Sequence, residues 1–130
     1  MNTYTTNIIL ILIWGYALLY RNPSQYKKKV FCIIVTVQWI LISGLRHLVI
    51  GADTIAYMGR FDSTMGRTFL DVWNSFIRTY LYGGGGQDTG YQLFEKLSQL
   101  FCRDYRAYLI FIAALFHIPL GVWIDRKSVV

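Results

Sequence analysis

Three long apolar stretches alternate with polar segments along this chain. Met1–Tyr20 contains no charged residue, Val30–Leu45 is a charge-free run of sixteen residues, and Ala107–Ile124 is an apolar run of eighteen. At 1.5 Å per residue, twenty helical residues span about 30 Å, which is the thickness of the hydrocarbon core of a bilayer. The pattern predicts an all-α polytopic membrane protein with three transmembrane helices, at about 3–20, 30–50 and 107–124.

The segment between the last two apolar stretches, 46–106, has the pattern of a loop that contains amphipathic helices. Apolar side chains recur at helical spacing over 69–80 and again over 90–101. Four consecutive glycines, Gly83–Gly86, separate the two runs and predict a flexible break. We expect both helices to lie on the bilayer surface or to pack against membrane spans.

The distribution of charged residues predicts how the spans are oriented across the membrane. The 130 residues include 13 Lys or Arg and 7 Asp or Glu, and charged residues make up 15% of the chain, against about 25% in soluble domains. Arg21 and Lys27–Lys29 place four positive charges in the short turn between the first two apolar runs, which predicts a cytoplasmic turn. The amino terminus and 46–106 are then extracytoplasmic. Because the basic residues are not spread over a face with aromatic residues between them, nucleic-acid binding is not expected.

Arg46 and Asp53 are the candidate site residues at the start of the outer loop. The second span needs residues up to Ile50 to cross the bilayer, which puts Arg46 inside the membrane boundary. A guanidinium there can bind a phosphate or pyrophosphate through its planar fork. The alternative is a snorkelling arginine paired with Asp53 or with a lipid headgroup. Asp53 is either a general base, a residue that orients Arg46, or a plain loop aspartate.

Other residues that often carry chemistry have simpler interpretations here. Asp88 and Glu95, seven residues apart, are expected on a solvated helix face, and the alternative is a carboxylate pair for acid–base chemistry. His117 is expected to be a packing residue, and Cys32 and Cys102 are expected to be inert thiols because they lack metal-ligand spacing. The sequence contains no recognisable metal, nucleotide or cofactor motif. No cofactor or metal is therefore expected.

Three short motifs follow the first two apolar runs in a fixed order, and they carry a resemblance. They are Ile42-Ser43-Gly44-Leu45-Arg46, then Gly51-x-Asp53-Thr54-x-x-Tyr57-x-x-x-Phe61, and then Asp88-x-Gly90-Tyr91-x-Leu93-x-x-x-Leu97. In this order and context the chain, from Met1 to about Ile124, resembles the amino-terminal part of the EpsG family. These are the Wzy-like polymerases of bacterial capsule, exopolysaccharide and O-antigen assembly. Asp88 departs from the family pattern, which usually has Glu at that place, and Ala52 stands where a hydroxyl residue is frequent.

The resemblance implies a multi-spanning glycosyltransferase of the bacterial cytoplasmic (inner) membrane, acting at its outer face. Its substrate is an oligosaccharide carried on undecaprenyl pyrophosphate, and its partners are other polysaccharide-assembly membrane proteins. Arg46 matches the motif arginine and is implied to contact the pyrophosphate, while Asp53 matches the motif aspartate and is implied to act as a base or as an orienting residue. Arg60 and Tyr57 are weaker candidates for substrate binding. No cofactor is implied, because the activated donor is already lipid-linked.

The last six residues, Asp125–Val130, resemble no continuation of such a polymerase. DNA that encodes them resembles a common sequencing adapter, which favours a fragment of a longer polymerase with a non-native tail at 125–130. The alternative is a small three-span accessory protein, or one that binds an anionic lipid without catalysis. A third interpretation is a membrane protein in which Arg46 and Asp53 form a purely structural pair.

Overall fold

The computed structural model describes residues 3–45, 53–84 and 88–127, and all regular secondary structure in these ranges is α-helical. The helices in these ranges are α1 (Thr3–Leu19), α2 (Gln25–Gly44), α3 (Thr54–Met65), α4 (Phe69–Tyr82), α5 (Thr89–Ser98) and α6 (Tyr105–Lys127). The all-α fold class predicted from the sequence is therefore confirmed.

The chain divides into two compact units. The hairpin unit comprises residues 1–46 and 109–130, and the loop unit comprises residues 47–108. The division falls inside α6, whose first turn belongs to the loop unit and whose remainder belongs to the hairpin unit. Cys32 and Cys102, both free thiols, lie in different units.

A polar contact joins α1 to α2 in the hairpin unit. The Gln38 side-chain amide donates to the Asn7 side-chain oxygen and, at 3.2 Å, to the Asn7 carbonyl oxygen, while its own oxygen accepts from the Trp14 indole N–H at 3.2 Å. Asn7 is fully buried, so the hydrogen bonds from Gln38 satisfy its two oxygen atoms, whereas its Nδ2 has no hydrogen-bond partner among the described residues. Side-chain amides between helices have this role in membrane proteins, where apolar burial alone does not hold helices together.

Two glycines set the distance between α2 and α6. A Cβ added to Gly44 would lie 2.5 Å from the Ile110 Cγ1 and 2.8 Å from its Cα, and a Cβ on Gly121 would collide with the Thr36 hydroxyl. Both positions therefore exclude a larger residue. Pro119 lies inside α6 and does not end it, and His117 stacks on Trp39 with ring centroids 5.9 Å apart, as predicted for a packing residue.

By length and composition, α6 is the helix of the described residues that can cross a membrane. It has 23 residues, and large apolar side chains on it are solvent-exposed, among them Phe116 (66%) and Trp123 (56%). α1 is also apolar but has 17 residues. An exposed apolar surface of this kind is typical of a helix that contacts lipid or a partner.

The second helix differs from the predicted span at 30–50 at both ends. It begins at Gln25 because the Ser24 hydroxyl caps it, accepting from the Lys27 N–H at 3.3 Å. Lys27–Lys29 therefore lie in the first turns of α2, whereas Arg21 precedes the helix. It ends at Gly44, and the Leu45 N–H donates to the Leu41 carbonyl at 2.8 Å. Arg46 and the residues up to 52 lie outside the described residues.

The loop unit contains both predicted amphipathic helices and one helix that the periodicity did not predict. α4 matches the predicted run at 69–80 and is capped by a reciprocal Thr68–Asp71 pair at its start and by left-handed Gly83 at its end. α5 covers most of the second run, and α3 is the helix not predicted. The predicted apolar face of the second run is only partly packed, because Leu100 and Phe101 are 71% and 84% exposed.

The core of the loop unit is centred on Phe61 of α3. Phe61 is fully buried, and its ring stacks on Tyr108 at 4.8 Å and packs against Tyr105 at 5.6 Å. The Tyr105 hydroxyl donates to the Thr54 carbonyl at 3.4 Å, which ties the first turn of α6 to the first turn of α3. This packing fixes the face of α3 that is turned toward α5.

Candidate functional site

One face of α3 carries the residues that form the candidate site. Tyr57, Arg60, Phe61 and Thr64 recur at intervals of three and four residues and so lie on neighbouring turns of the same side. Phe61 and Thr64 are buried, whereas Tyr57 and Arg60 remain partly exposed toward the amino-terminal end. The buried pair holds α3 in place. Tyr57 and Arg60 form the exposed edge of this face, which is called the rim below.

The facing residues come from α5 and from the residue that precedes it. Asp88, Tyr91 and Glu95 are three and then four residues apart and lie on one side of this helix. Asp88 adopts a left-handed backbone conformation (φ 57°), which non-glycine residues rarely adopt and which Asn and Asp tolerate best. This turn begins α5 and directs the chain back toward α3.

Arg60 forms an ion pair between α3 and Asp88, the residue that precedes α5. Its Nη1 lies 3.1 Å from the Asp88 Oδ2, and its guanidinium lies 5.7 Å from the centroid of the Tyr57 ring. The Tyr57 ring in turn packs edge-on against Tyr91, with centroids 6.1 Å apart. The side chains of Arg60 and Asp88 are 39% and 60% exposed. The arginine is therefore oriented by two neighbours and still open to a ligand.

Glu95 lies beneath this rim, and here the expectation of a solvated face is wrong. Its side chain is fully buried, and its Oε2 accepts from the Thr64 hydroxyl at 3.1 Å. Burial raises the pKa of Glu95 above its ordinary value, and the Thr64 hydrogen bond, the charge of Arg60 and the nearby Tyr91 hydroxyl offset only part of this effect. Its other oxygen, Oε1, has no hydrogen bond of good geometry among the described residues.

The buried surroundings of Glu95 are polar. The Gln99 side-chain amide donates to the Phe61 carbonyl at 2.9 Å, and the Lys96 ammonium donates to the Thr64 carbonyl at 3.2 Å. Sequence analysis missed this cluster, although one signal was present: Glu95 is next to Phe94 in an apolar run. The neighbouring apolar residues, and not the spacing from Asp88, are the signal that Glu95 lies on a packed face.

The four residues predicted for the site are only partly brought together. Tyr57 and Arg60 are in contact, and Asp88 joins them. Asp53 is exposed at the start of α3, where its carbonyl accepts from the Tyr57 N–H at 2.9 Å and its carboxylate does not cap the helix. Arg46 lies outside the described residues, so the predicted Arg46–Asp53 pair stays a prediction.

Chemically, the arrangement provides an oriented cation, an exposed carboxylate and aromatic surface. Arg60 supplies planar donors that suit a phosphate or carboxylate, and the exposed faces of tyrosine rings are common contacts for ligands with apolar faces. Asp53, one helical turn before Tyr57, supplies a carboxylate that the fold does not use as a helix cap. In the described ranges, no three His, Cys, Asp or Glu residues group as metal ligands.

Comparison with known proteins gave no match: no protein-family model, no curated protein and no solved structure is similar to this chain. The resemblance to the EpsG family thus depends on its motif residues. Two of the three motifs, the one from Gly51 to Phe61 and the one from Asp88 to Leu97, fall in the loop unit.

Proposed function

We propose that this chain is the amino-terminal part of a membrane polysaccharide polymerase of the EpsG type. Such an enzyme joins undecaprenyl-pyrophosphate-linked repeat units during capsule, exopolysaccharide or O-antigen synthesis. One observation carries the proposal: motif segments about thirty residues apart in the sequence meet in the loop unit. The Arg60–Asp88 ion pair and the Tyr57–Tyr91 ring contact join them. If the order of the motifs had no functional meaning, there would be no reason to expect the two segments to contact each other at an exposed surface.

In the proposed topology, α1, α2 and α6 are three spans of the bacterial cytoplasmic membrane. The 23 residues of α6 are sufficient, and the 17 residues of α1 cover about 26 Å, close to a bilayer core. Lys27–Lys29 at the start of α2 favour a cytoplasmic turn, which leaves the amino terminus and the loop unit outside. Lipid-linked repeat units are then available to the loop unit at the outer face.

The reaction forms one glycosidic bond and breaks one glycosyl-phosphate bond. A hydroxyl of one repeat unit attacks the anomeric carbon of the growing chain, its proton passes to a carboxylate, and lipid pyrophosphate leaves with the electron pair of the broken bond. Asp53 is the proposed base, since its carboxylate is exposed and free of capping. Arg46 is proposed to bind the leaving pyrophosphate, where a cation stabilises the developing charge.

Arg60 is proposed as a second contact for the anionic part of the substrate. Its orientation by Asp88 and Tyr57 lowers the entropy that a free arginine would lose on binding, and its exposure leaves donors available. Tyr57 offers ring surface to a sugar on the same rim. In this proposal Asp88 positions Arg60 and does not take a proton.

The test is a deletion and complementation experiment in the native host. Deleting the gene should leave lipid-linked single repeat units and remove long polymer, and the wild-type gene should restore it. Asp53→Asn and Arg46→Gln should fail to restore polymer at normal protein levels. Asp62→Asn is the matched control, because Asp62 is also an exposed aspartate of α3 and is not a motif residue.

Two outcomes would contradict the proposal. Normal polymer length in both the Asp53 and Arg46 variants would exclude the assigned chemistry. Unchanged polymer after deletion would instead favour the accessory or anionic-lipid-binding alternative. That alternative predicts altered membrane binding when Lys27–Lys29 are neutralised, and it predicts no change in lipid-linked intermediates.

A further inference from the structure

A polar cleft of ≈500 Å³ lies along one face of α4, apart from the site described above. It is lined by Arg67, Asp71, Asn74, Ser75 and Arg78. Asp71, Asn74, Ser75 and Arg78 lie on successive turns of one face of α4, and Arg67, which precedes the helix cap, reaches this face through its hydrogen bond to Ser75. Two arginines therefore stand at the ends of the cleft, and uncharged or acidic side chains lie between them.

Arg67 is held in place without being neutralised by the groups that hold it. Its Nη1 donates to the Gln92 side-chain oxygen at 3.0 Å, and its Nη2 donates to the Ser75 hydroxyl at 2.8 Å. Both partners are uncharged. A guanidinium fixed in this way keeps its charge and loses little conformational entropy when it binds an anion.

Arg78, at the other end of the cleft, is exposed, and its side chain forms no hydrogen bond or ion pair with the described residues. The chain folds back here, with the Gly84 N–H donating to the Arg78 carbonyl at 3.1 Å. Gly84 lies so close to the arginine stem that an added Cβ would come within 2.9 Å of the Arg78 Cγ. The exposed Arg78 guanidinium, without a partner among the described residues, is available for a ligand.

Asp71, between the arginines, determines which anion fits. Its Oδ2 accepts from the Thr68 N–H and hydroxyl, which hold the carboxylate in place and lower its pKa. An ionised carboxylate accepts hydrogen bonds and repels a second anion, whereas the neighbouring Asn74 amide both donates and accepts. A ligand suited to this face has an acidic group for an arginine and hydroxyls for Asp71 and Asn74.

We propose that this cleft binds an acidic saccharide. Carboxylate or phosphate groups on the sugar pair with Arg67 or Arg78, and the sugar hydroxyls donate to Asp71 and exchange hydrogen bonds with Asn74. A compact polyanion without hydroxyls gains from the arginines but is repelled by Asp71. The choice of a saccharide over other hydroxylated acids rests on the proposed function. If the saccharide is the growing polymer or its repeat unit, that polymer carries acidic sugars.

The test uses the full chain in lipid nanodiscs and isothermal titration calorimetry. The probes are a tetrasaccharide of alternating glucuronate and N-acetylglucosamine, and the same tetrasaccharide with its carboxylates reduced to alcohols. We expect the acidic probe to bind at least about tenfold more tightly than the reduced one, since charge-assisted hydrogen bonds are lost. Arg78→Gln should weaken binding of the acidic probe about tenfold, and circular dichroism should report unchanged helix content. Arg103→Gln removes another exposed arginine of the loop unit and should leave binding unchanged.

Three results would overturn the inference. Absence of binding by the acidic tetrasaccharide is the first. Displacement of that probe by equimolar inorganic phosphate is the second, because it would indicate a simple anion site. Equal losses in the Arg78 and Arg103 variants are the third, because they would indicate diffuse charge attraction. The polymer assay above depends on Arg46 and Asp53, so a failure of the proposed function and a failure of this cleft appear in different experiments.

Discussion

Replacing Arg60 tests whether this arginine acts on the substrate or only stabilises the fold. The test is clear because the contacts of Arg60 within the protein are weak, so that its loss should cost little stability. Its ion pair with Asp88 is 3.1 Å long and exposed, and such pairs contribute about 0.2–1 kcal/mol. The Tyr57 ring contact at 5.7 Å contributes about 0.5–1 kcal/mol at an exposed site. Arg60→Gln should therefore lower the free energy of unfolding by no more than about 2 kcal/mol, and Asp88→Asn by no more than about 1 kcal/mol.

The expected effect on polymer synthesis is larger. If the guanidinium contacts an anionic substrate group, its loss removes a charged hydrogen bond of about 1.5–3 kcal/mol, or roughly ten- to hundredfold in rate. Asp88→Asn leaves the guanidinium present and should reduce polymer synthesis less. The exchanged variant, Arg60→Asp with Asp88→Arg, restores the attraction between the two positions but moves the cation from α3 to the residue before α5. Arginine fits the left-handed backbone at 88 less well than aspartate, so this variant is compared only if denaturant unfolding shows that it is folded. It should then remain as defective as Arg60→Gln.

Polymer length on gels, with immunoblots for protein level, measures the functional effect in the native host. Denaturant unfolding of the purified chain in detergent measures stability. Normal polymer in the exchanged variant would refute the reasoning, because it would make the ion pair itself the requirement. Normal polymer in Arg60→Gln would exclude a role for Arg60 at the substrate.

Three further predictions concern stability and topology. Gln38→Leu should destabilise the α1–α2 hairpin by about 1–3 kcal/mol, because it leaves the oxygens of buried Asn7 without their donor. The double variant Gln38→Leu with Asn7→Leu should be nearly neutral. SDS-induced unfolding, followed by tryptophan fluorescence, measures both. Because burial raises the pKa of Glu95 above its ordinary 4.5, the folded chain holds this proton more tightly, and stability should fall as the pH rises from 4.5 through the native pKa. Glu95→Gln should remove that fall in denaturant midpoints measured against pH. In intact spheroplasts, a membrane-impermeant maleimide should label Cys102 and not Cys32, as judged by a gel shift.

Each of these predictions has a clear contrary result. An additive double variant would mean that Gln38 and Asn7 act independently. A pH profile that Glu95→Gln leaves unchanged would assign the titration to another group, and Asp62→Asn is the control that should keep the wild-type profile. Labelling of Cys102 only after the membrane is permeabilised would reverse the proposed orientation.

Much of the secondary structure could be predicted from the sequence because it depends on local patterns. The run at 69–80 predicted α4, since its apolar spacing and its Thr68 cap are local features. α3 was not predicted from periodicity, because its buried face mixes Phe61 with threonines and so gives no apolar stripe. The bounds of α2, Gln25–Gly44, could not be read from hydropathy, because the Ser24 cap that starts the helix is a polar feature outside the apolar run.

Residue type and spacing were sufficient to predict a helical chain with three long apolar stretches and a basic segment between the first two of them. Tyr57, a motif residue, and Arg60, at a variable position of the same motif, were weaker candidates. The pairing of Arg60 with Asp88 and the burial of Glu95 against Thr64 became evident from the packing of α3 on α5. These contacts join residues about thirty positions apart, and they exist because the packing of Phe61 turns one face of α3 toward α5. A local sequence pattern does not indicate which distant residue a charged side chain contacts in the folded chain.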